Sequence, residues 1–105
     1  MPGIGEVIPA TVFGGGGRKV TVSAGTAVAL SSSSIEARAF VIAALLTNTN
    51  PVYIGDSAVK ASSGSERGIP LLPGEKITLD VDNAMKIFLD SVTSGEGVTF
   101  EALKN

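Results

Sequence analysis

Glu75-Lys76-Ile77-Thr78-Leu79-Asp80-Val81-Asp82-Asn83 alternates apolar and polar side chains with a period of two. Ile77, Leu79 and Val81 fall on one side of an extended chain, and Lys76, Thr78 and Asp80 on the other, as a half-buried strand requires. Asp82-Asn83 supplies a turn, after which Met85, Ile87 and Leu89 alternate with Lys86, Phe88 and Asp90. A further turn through Ser94-Gly95-Glu96-Gly97 leads to a last strand with Val98, Phe100 and Ala102 as its inward row.

The same grammar extends toward the N-terminus. Ile69-Pro70-Leu71-Leu72 lies between two prolines, Pro70 and Pro73, so it fits only an edge strand or an unpaired connection before the Pro73-Gly74 turn. Val52-Tyr53-Ile54 is a short strand closed by Gly55-Asp56, and Ser57 to Gly68 reads as a small, polar surface loop. Between Glu36 and Thr47 both rows are apolar: Ala37, Ala39, Val41, Ala43 and Leu45 on one side, Phe40, Ile42, Ala44 and Leu46 on the other. A strand buried on both faces and a short Ala- and Leu-rich helix both fit; β-branched Val41 and Ile42 and the exit Thr47-Asn48-Thr49-Asn50-Pro51 favour a central strand. From Arg18, Val20 and Val22 alternate with Lys19, Thr21 and Ser23, Ala24-Gly25 turns, and Thr26 to Leu30 alternates again, which predicts a hairpin.

Seven or eight strands at short, regular spacing predict an all-β domain, an antiparallel β-sandwich or small barrel of jelly-roll-like type, over residues 18–105. Residues 1–17 hold Pro2, Pro9 and the run Gly14-Gly15-Gly16-Gly17, a composition that resists helix and continuous pairing and predicts an extended arm. The arm carries Ile4, Val7, Ile8, Val12 and Phe13, apolar side chains that would pack on the domain or on a neighbour. With Arg18 and Tyr53, these are the candidate partner-interface residues. At 105 residues, with an aliphatic core containing few aromatics, a single domain supplemented by oligomerisation is expected.

Composition narrows the chemistry. The net charge of −2 with scattered basic residues leaves no footprint for a phosphate backbone, so nucleic acid is not expected as a direct partner. No apolar run reaches the length of a membrane-spanning helix, and no basic region precedes an apolar stretch at the N-terminus, so neither membrane association nor a cleaved signal is expected. The chain contains neither His nor Cys, the commonest sources of a group titrating near neutrality or an activated nucleophile. Asp80 and Asp82 are the only close carboxylate pair, about 7 Å apart by strand rise. A solvated strand residue and a turn residue account for them better than a hydrolase dyad. Asp80, Asp82, Asn83 and Asp90 are hard oxygen ligands, but their spacing matches no EF-hand loop. Gly14 to Lys19 lacks the spacing of a phosphate-binding loop and opens a strand rather than a helix. No catalytic residue, metal or cofactor is expected.

Three segments, Asn50-Pro51-Val52-Tyr53-Ile54-Gly55-Asp56, Gly68-Ile69-Pro70-Leu71-Leu72-Pro73-Gly74-Glu75, and Lys86-Ile87-Phe88-Leu89-Asp90 leading into Gly97-Val98-Thr99-Phe100, resemble a kind of small virion protein domain of tailed bacteriophages and prophages. The resemblance spans Asn48 to Leu103, roughly half the chain. It implies a β-sandwich without a cofactor that decorates or cements the head, binding the major capsid protein or other virion proteins through its arm and sandwich surface. A homotrimer, located in the virion after assembly in the host cytoplasm, follows from the same resemblance. The alternative is a tail, baseplate or fibre component with a receptor- or glycan-binding role, using the Ser57 to Gly68 loop.

Overall fold

The computed structural model describes residues 12–21 and 23–104, and these form eight strands. They are β1 (Val12–Val20), β2 (Val28–Ala29), β3 (Ala39–Ala44), β4 (Val52–Gly55), β5 (Ile69–Leu71), β6 (Lys76–Leu79), β7 (Phe88–Ser91) and β8 (Gly97–Lys104). Sheet A has the order β1-β8-β3-β6 and sheet B the order β2-β7-β4-β5, with every neighbouring pair antiparallel. Every connection except β4–β5 crosses from one sheet to the other, which is the strand order of a jelly roll. The expected all-β sandwich is what the chain forms.

Alternation places the core. Phe40, Ile42 and Ala44 of β3 and Val98, Phe100 and Ala102 of β8 point from sheet A toward Val52 and Ile54 of β4 and Leu89 of β7 in sheet B, all buried. Each Val, Leu, Ile or Phe side chain so buried stabilises the fold by about 1.5–3 kcal/mol. Residues 39–44 are a strand rather than a helix, lying between β8 and β6 as a central strand should.

Several local expectations fail for physical reasons. Residues 12–17 are not part of a free arm but belong to β1, an edge strand that pairs with β8 from Val12↔Lys104 to Val20↔Gly97. Glycine composition argues against continuous pairing, and the ladder does slip, with an extra residue between Phe13 and Gly16. Gly15 takes φ +116°, and a Cβ on Gly16 would run into the Phe100 carbonyl, so glycine is what lets the strand pass. The remainder of the expected arm, including Ile4, Val7 and Ile8, lies outside the described residues.

β1 and β2 do not form the expected hairpin. They lie in different sheets, and Thr21, expected to face solvent, is buried where the chain crosses over. Met85, expected inward, is exposed because Ala84–Lys86 forms a 3-10 turn, capped by the Asn83 side chain accepting from the Met85 N–H at 3.0 Å. Asp90, expected to face solvent, is fully buried.

Candidate docking surfaces

One end of the sandwich is built from the connections β1–β2, β3–β4, β5–β6 and β7–β8, and a polar network ties three of them together. The Thr21 N–H donates to the Glu96 carbonyl at 2.9 Å, the Gly95 N–H to the Thr21 carbonyl at 2.7 Å, and the Thr21 and Ser91 hydroxyls are 2.5 Å apart. Asn48 and Gly97 exchange two bonds: the Asn48 Nδ2 donates to the Gly97 carbonyl at 2.9 Å and its Oδ1 accepts from the Gly97 N–H at 3.1 Å. Glu96 is buried; its Oε2 accepts from the Thr49 N–H at 2.5 Å and from the Thr49 hydroxyl at 2.7 Å, whereas its Oε1 has no hydrogen-bond partner among the described residues. Asn50 Nδ2 adds a bond to the Thr93 hydroxyl at 3.0 Å. The fourth connection is pinned to β3, since the Gly74 N–H donates to the Ala44 carbonyl at 3.1 Å and the Ala44 N–H to the Glu75 carbonyl at 2.8 Å.

These loops are therefore held by buried hydrogen bonds, and they present large apolar side chains. Leu46 is 85% exposed, Leu72 52% and Val92 48%. Rigid loops carrying exposed aliphatic groups lose little conformational entropy on binding, which is the physical profile of a docking surface.

The outer face of sheet A is a second apolar surface. A hollow of about 550 Å³ is lined by Gly16, Gly17, Arg18, Val41, Ala43, Thr99, Phe100 and Glu101. A neighbouring hollow of about 560 Å³ shares Arg18, Ala43 and Thr99 and continues to Leu45, Leu46, Gly74 and Lys76. β3 was expected to be covered on both faces, yet among the described residues only its inner row is covered by a second sheet; Val41, Ala43 and Leu45 are half-buried.

Sheet B differs. The Ser57 to Gly68 segment, expected to be wholly a surface loop, packs down in part: Val59 and Ala61 are buried, Val59 lies 3.4 Å from where a Cβ on Gly55 would sit, and Lys60 bridges Arg67. Asp90 clamps this flap, its Oδ2 accepting from the Ala61 N–H at 2.9 Å and its Oδ1 from the Gly25 N–H at 3.0 Å. The stretch Ser62 to Pro70 remains exposed throughout.

The structure scatters the candidate interface residues. Phe13 is 74% exposed and Arg18 exposed on β1, Val12 opens that strand, and Tyr53 is half-buried on the outer face of sheet B in register with Pro70 and Asp90. Leu46, expected in the buried row with Phe40, Ile42 and Ala44, is instead exposed because β3 ends at Ala44 and the chain turns beyond it; sequence reasoning missed Leu72 and Val92 as exposed apolar groups on connections.

Nor are the oxygen ligands gathered. Asp80 is exposed, Asp82 pairs with Lys86 at 2.8 Å, Asn83 caps the 3-10 turn, and Asp90 serves the flap. The Lys86 ammonium, by hydrogen bond and then by charge, holds the Asp82 carboxyl below the usual carboxylate range. Among the described residues no three acidic, His or Cys side chains come together as metal ligands, and no helix is long and apolar enough to cross a membrane. No protein-family model matches the chain, and neither does any curated protein or solved structure.

Proposed function

We propose that the chain is a non-enzymatic structural protein of a tailed-bacteriophage particle, a decoration or cementing protein that seats its loop end on the major capsid protein. The observation that carries this reading is the exposure of Leu46 and Val92 on connections that a buried polar network holds in place, with Leu72 exposed on the connection that backbone hydrogen bonds pin to β3. Exposed aliphatic groups on a rigid support suit attachment to a preformed surface, because little ordering entropy is lost on docking. The jelly-roll strand order supports it by analogy, because that architecture recurs in viral shell proteins. The protein then resides in the virion after assembly in the host cytoplasm.

The test is cosedimentation of the purified protein with expanded shells of its phage, alongside a Leu72→Asp, Val92→Asp variant. The intact protein should pellet with shells and the variant stay in solution; an intact protein that never pellets, and is missing from purified virions by mass spectrometry, ends the reading. A tail or fibre role is the second reading, favoured by the uninterrupted exposure of Ser62 to Pro70 as a recognition loop. Electron microscopy of virions carrying labelled protein separates head from tail.

A further inference from the structure

We propose that two copies of the chain pair antiparallel through the free edge of β1, about a two-fold axis at Gly16, joining their A sheets into one of eight strands. A strand at the edge of a sheet carries a row of N–H and C=O groups with no ladder to enter, and folds usually shorten, break or charge it. Three of the four edges here are so treated. β2 is two residues long, β5 is three with Pro70 at its centre, and β6 is four, beginning at Lys76. β1 runs nine residues without a proline, pairs with β8 on one side, and has no strand on the other among the described residues.

Register identifies the occupant. Thr99, Glu101 and Leu103 of β8 face outward, alternating with the buried Val98, Phe100 and Ala102. Directly opposed residues of an antiparallel pair share a face, so their β1 partners Arg18, Gly16 and Phe13 line the outer face of sheet A. Gly16 and Phe13 are three residues apart, a spacing that in a regular strand puts them on opposite faces; the extra residue of the bulge returns Phe13 to the outer row. Counted along β8, Arg18 and Phe13 lie two positions to either side of Gly16, about 7 Å each way.

A two-fold axis at Gly16 exchanges those two positions. Gly16 meets Gly16 with no side chain between the backbones, and the Arg18 guanidinium of each copy lies over the Phe13 ring of the other, a cation–π pair made twice. Both side chains are accessible for it, Phe13 being 74% exposed and Arg18 exposed. The two Arg18 stay four positions apart, about 13 Å along the strands, whereas parallel pairing in register would set Arg18 beside Arg18. The two Lys19, which pair with Val98 in the other row, are farther apart still. A second copy of this chain is therefore the strand that fits the edge. The proposal goes beyond the shell reading, and it gives a dimer where the phage resemblance implies a trimer.

The side chains at issue are exposed, so their substitution leaves the core untouched. Light scattering should give the intact chain a mass of twice 10.6 kDa, Phe13→Arg half of that, and the double variant Phe13→Arg, Arg18→Glu the full mass again, because the second change turns facing like charges into two ion pairs. The chain has no Cys, so engineered cysteines report without interference. A mixture of Phe13→Cys and Arg18→Cys proteins, one of them tagged, should oxidise to a mixed disulfide, since opposed positions are within bridging reach, and Arg18→Cys alone should give none. An intact chain at 10.6 kDa or at three times it, a Phe13→Arg protein that stays assembled, a double variant that does not reassemble, or an Arg18→Cys protein that cross-links to itself overturns the proposal. A monomer that still pellets with shells sinks this proposal alone, whereas a dimer that ignores shells sinks only the shell reading.

Discussion

Asp90 is a carboxylate with no exposed surface, and its two oxygens are committed to backbone donors at Gly25 and Ala61, residues 65 and 29 positions away. Alternation along β7 correctly turns it away from the core between the sheets. Its burial was not legible, because the layer that covers it is an irregular segment with no periodic signature. Asp90→Ala leaves two N–H groups without their charged acceptor, and we expect a loss of about 2–4 kcal/mol in urea unfolding. Asp90→Asn, which keeps one acceptor, should cost less; an Asp90→Ala protein of unchanged midpoint would show that the clamp is dispensable. Thr21 and Glu96 were illegible for the same reason: polar residues in turn-rich sequence read as solvated, and only tertiary placement buries them. Asp82 supplies a pH test with a definite sign. Its folded value is depressed by Lys86, so its contribution is present above the unfolded value and is lost as pH falls through the folded one. Both side chains are well exposed, and solvent screening keeps that contribution small. In Lys86→Gln an NMR titration should show the Asp82 carboxyl returning upward, with hardly any change in the acid unfolding limb; a shifted limb would contradict the screening argument.

Among the elements, β4, β6 and β8 were legible because each shows its inward row plainly in the chain, as Val98, Phe100 and Ala102 do in β8; β3 was legible as a central strand from its β-branched residues, but its two apolar rows hid which one faces inward. β5 was legible as an edge from Pro70, which pairs with Tyr53 on one side only. β1 was half lost, since its glycines hide a strand whose pairing depends on their lack of a side chain. The predicted hairpin with β2 failed because adjacency in sequence does not imply pairing when the chain changes sheets. At the β1–β8 junction, a Cβ on Gly97 would collide with the Lys19 carbonyl and the Val20 Cα, all backbone atoms with no flexible end to yield. Gly97→Ala should therefore loosen the top of the ladder, with an expected loss of about 1–3 kcal/mol. Hydrogen exchange of the Arg18 to Val20 amides should accelerate more than that of β4 and β7; uniform acceleration would mean that β1 is not a separable edge.

For the whole molecule, the strand order dictates how the fold must be reached. β1 and β8 come from opposite ends of the chain and pair along their length, and only β4 and β5 are joined within one sheet. Almost every ladder therefore requires closing a long loop before any contact offsets the entropy, which places folding in the ms to s regime of non-local β proteins. A two-stranded hairpin is marginal on its own, so β4–β5 should not form ahead of the sandwich that covers it. Tyr53 tests this directly. It is the only Tyr, the chain has no Trp, and it lies on β4 opposite Pro70, so its fluorescence reports the one local pairing without interference. In stopped-flow refolding the Tyr53 signal and far-UV circular dichroism should rise together with one rate constant. A Tyr53 phase that runs ahead would mean that the hairpin is stable by itself and that the crossing connections do not control the order of assembly.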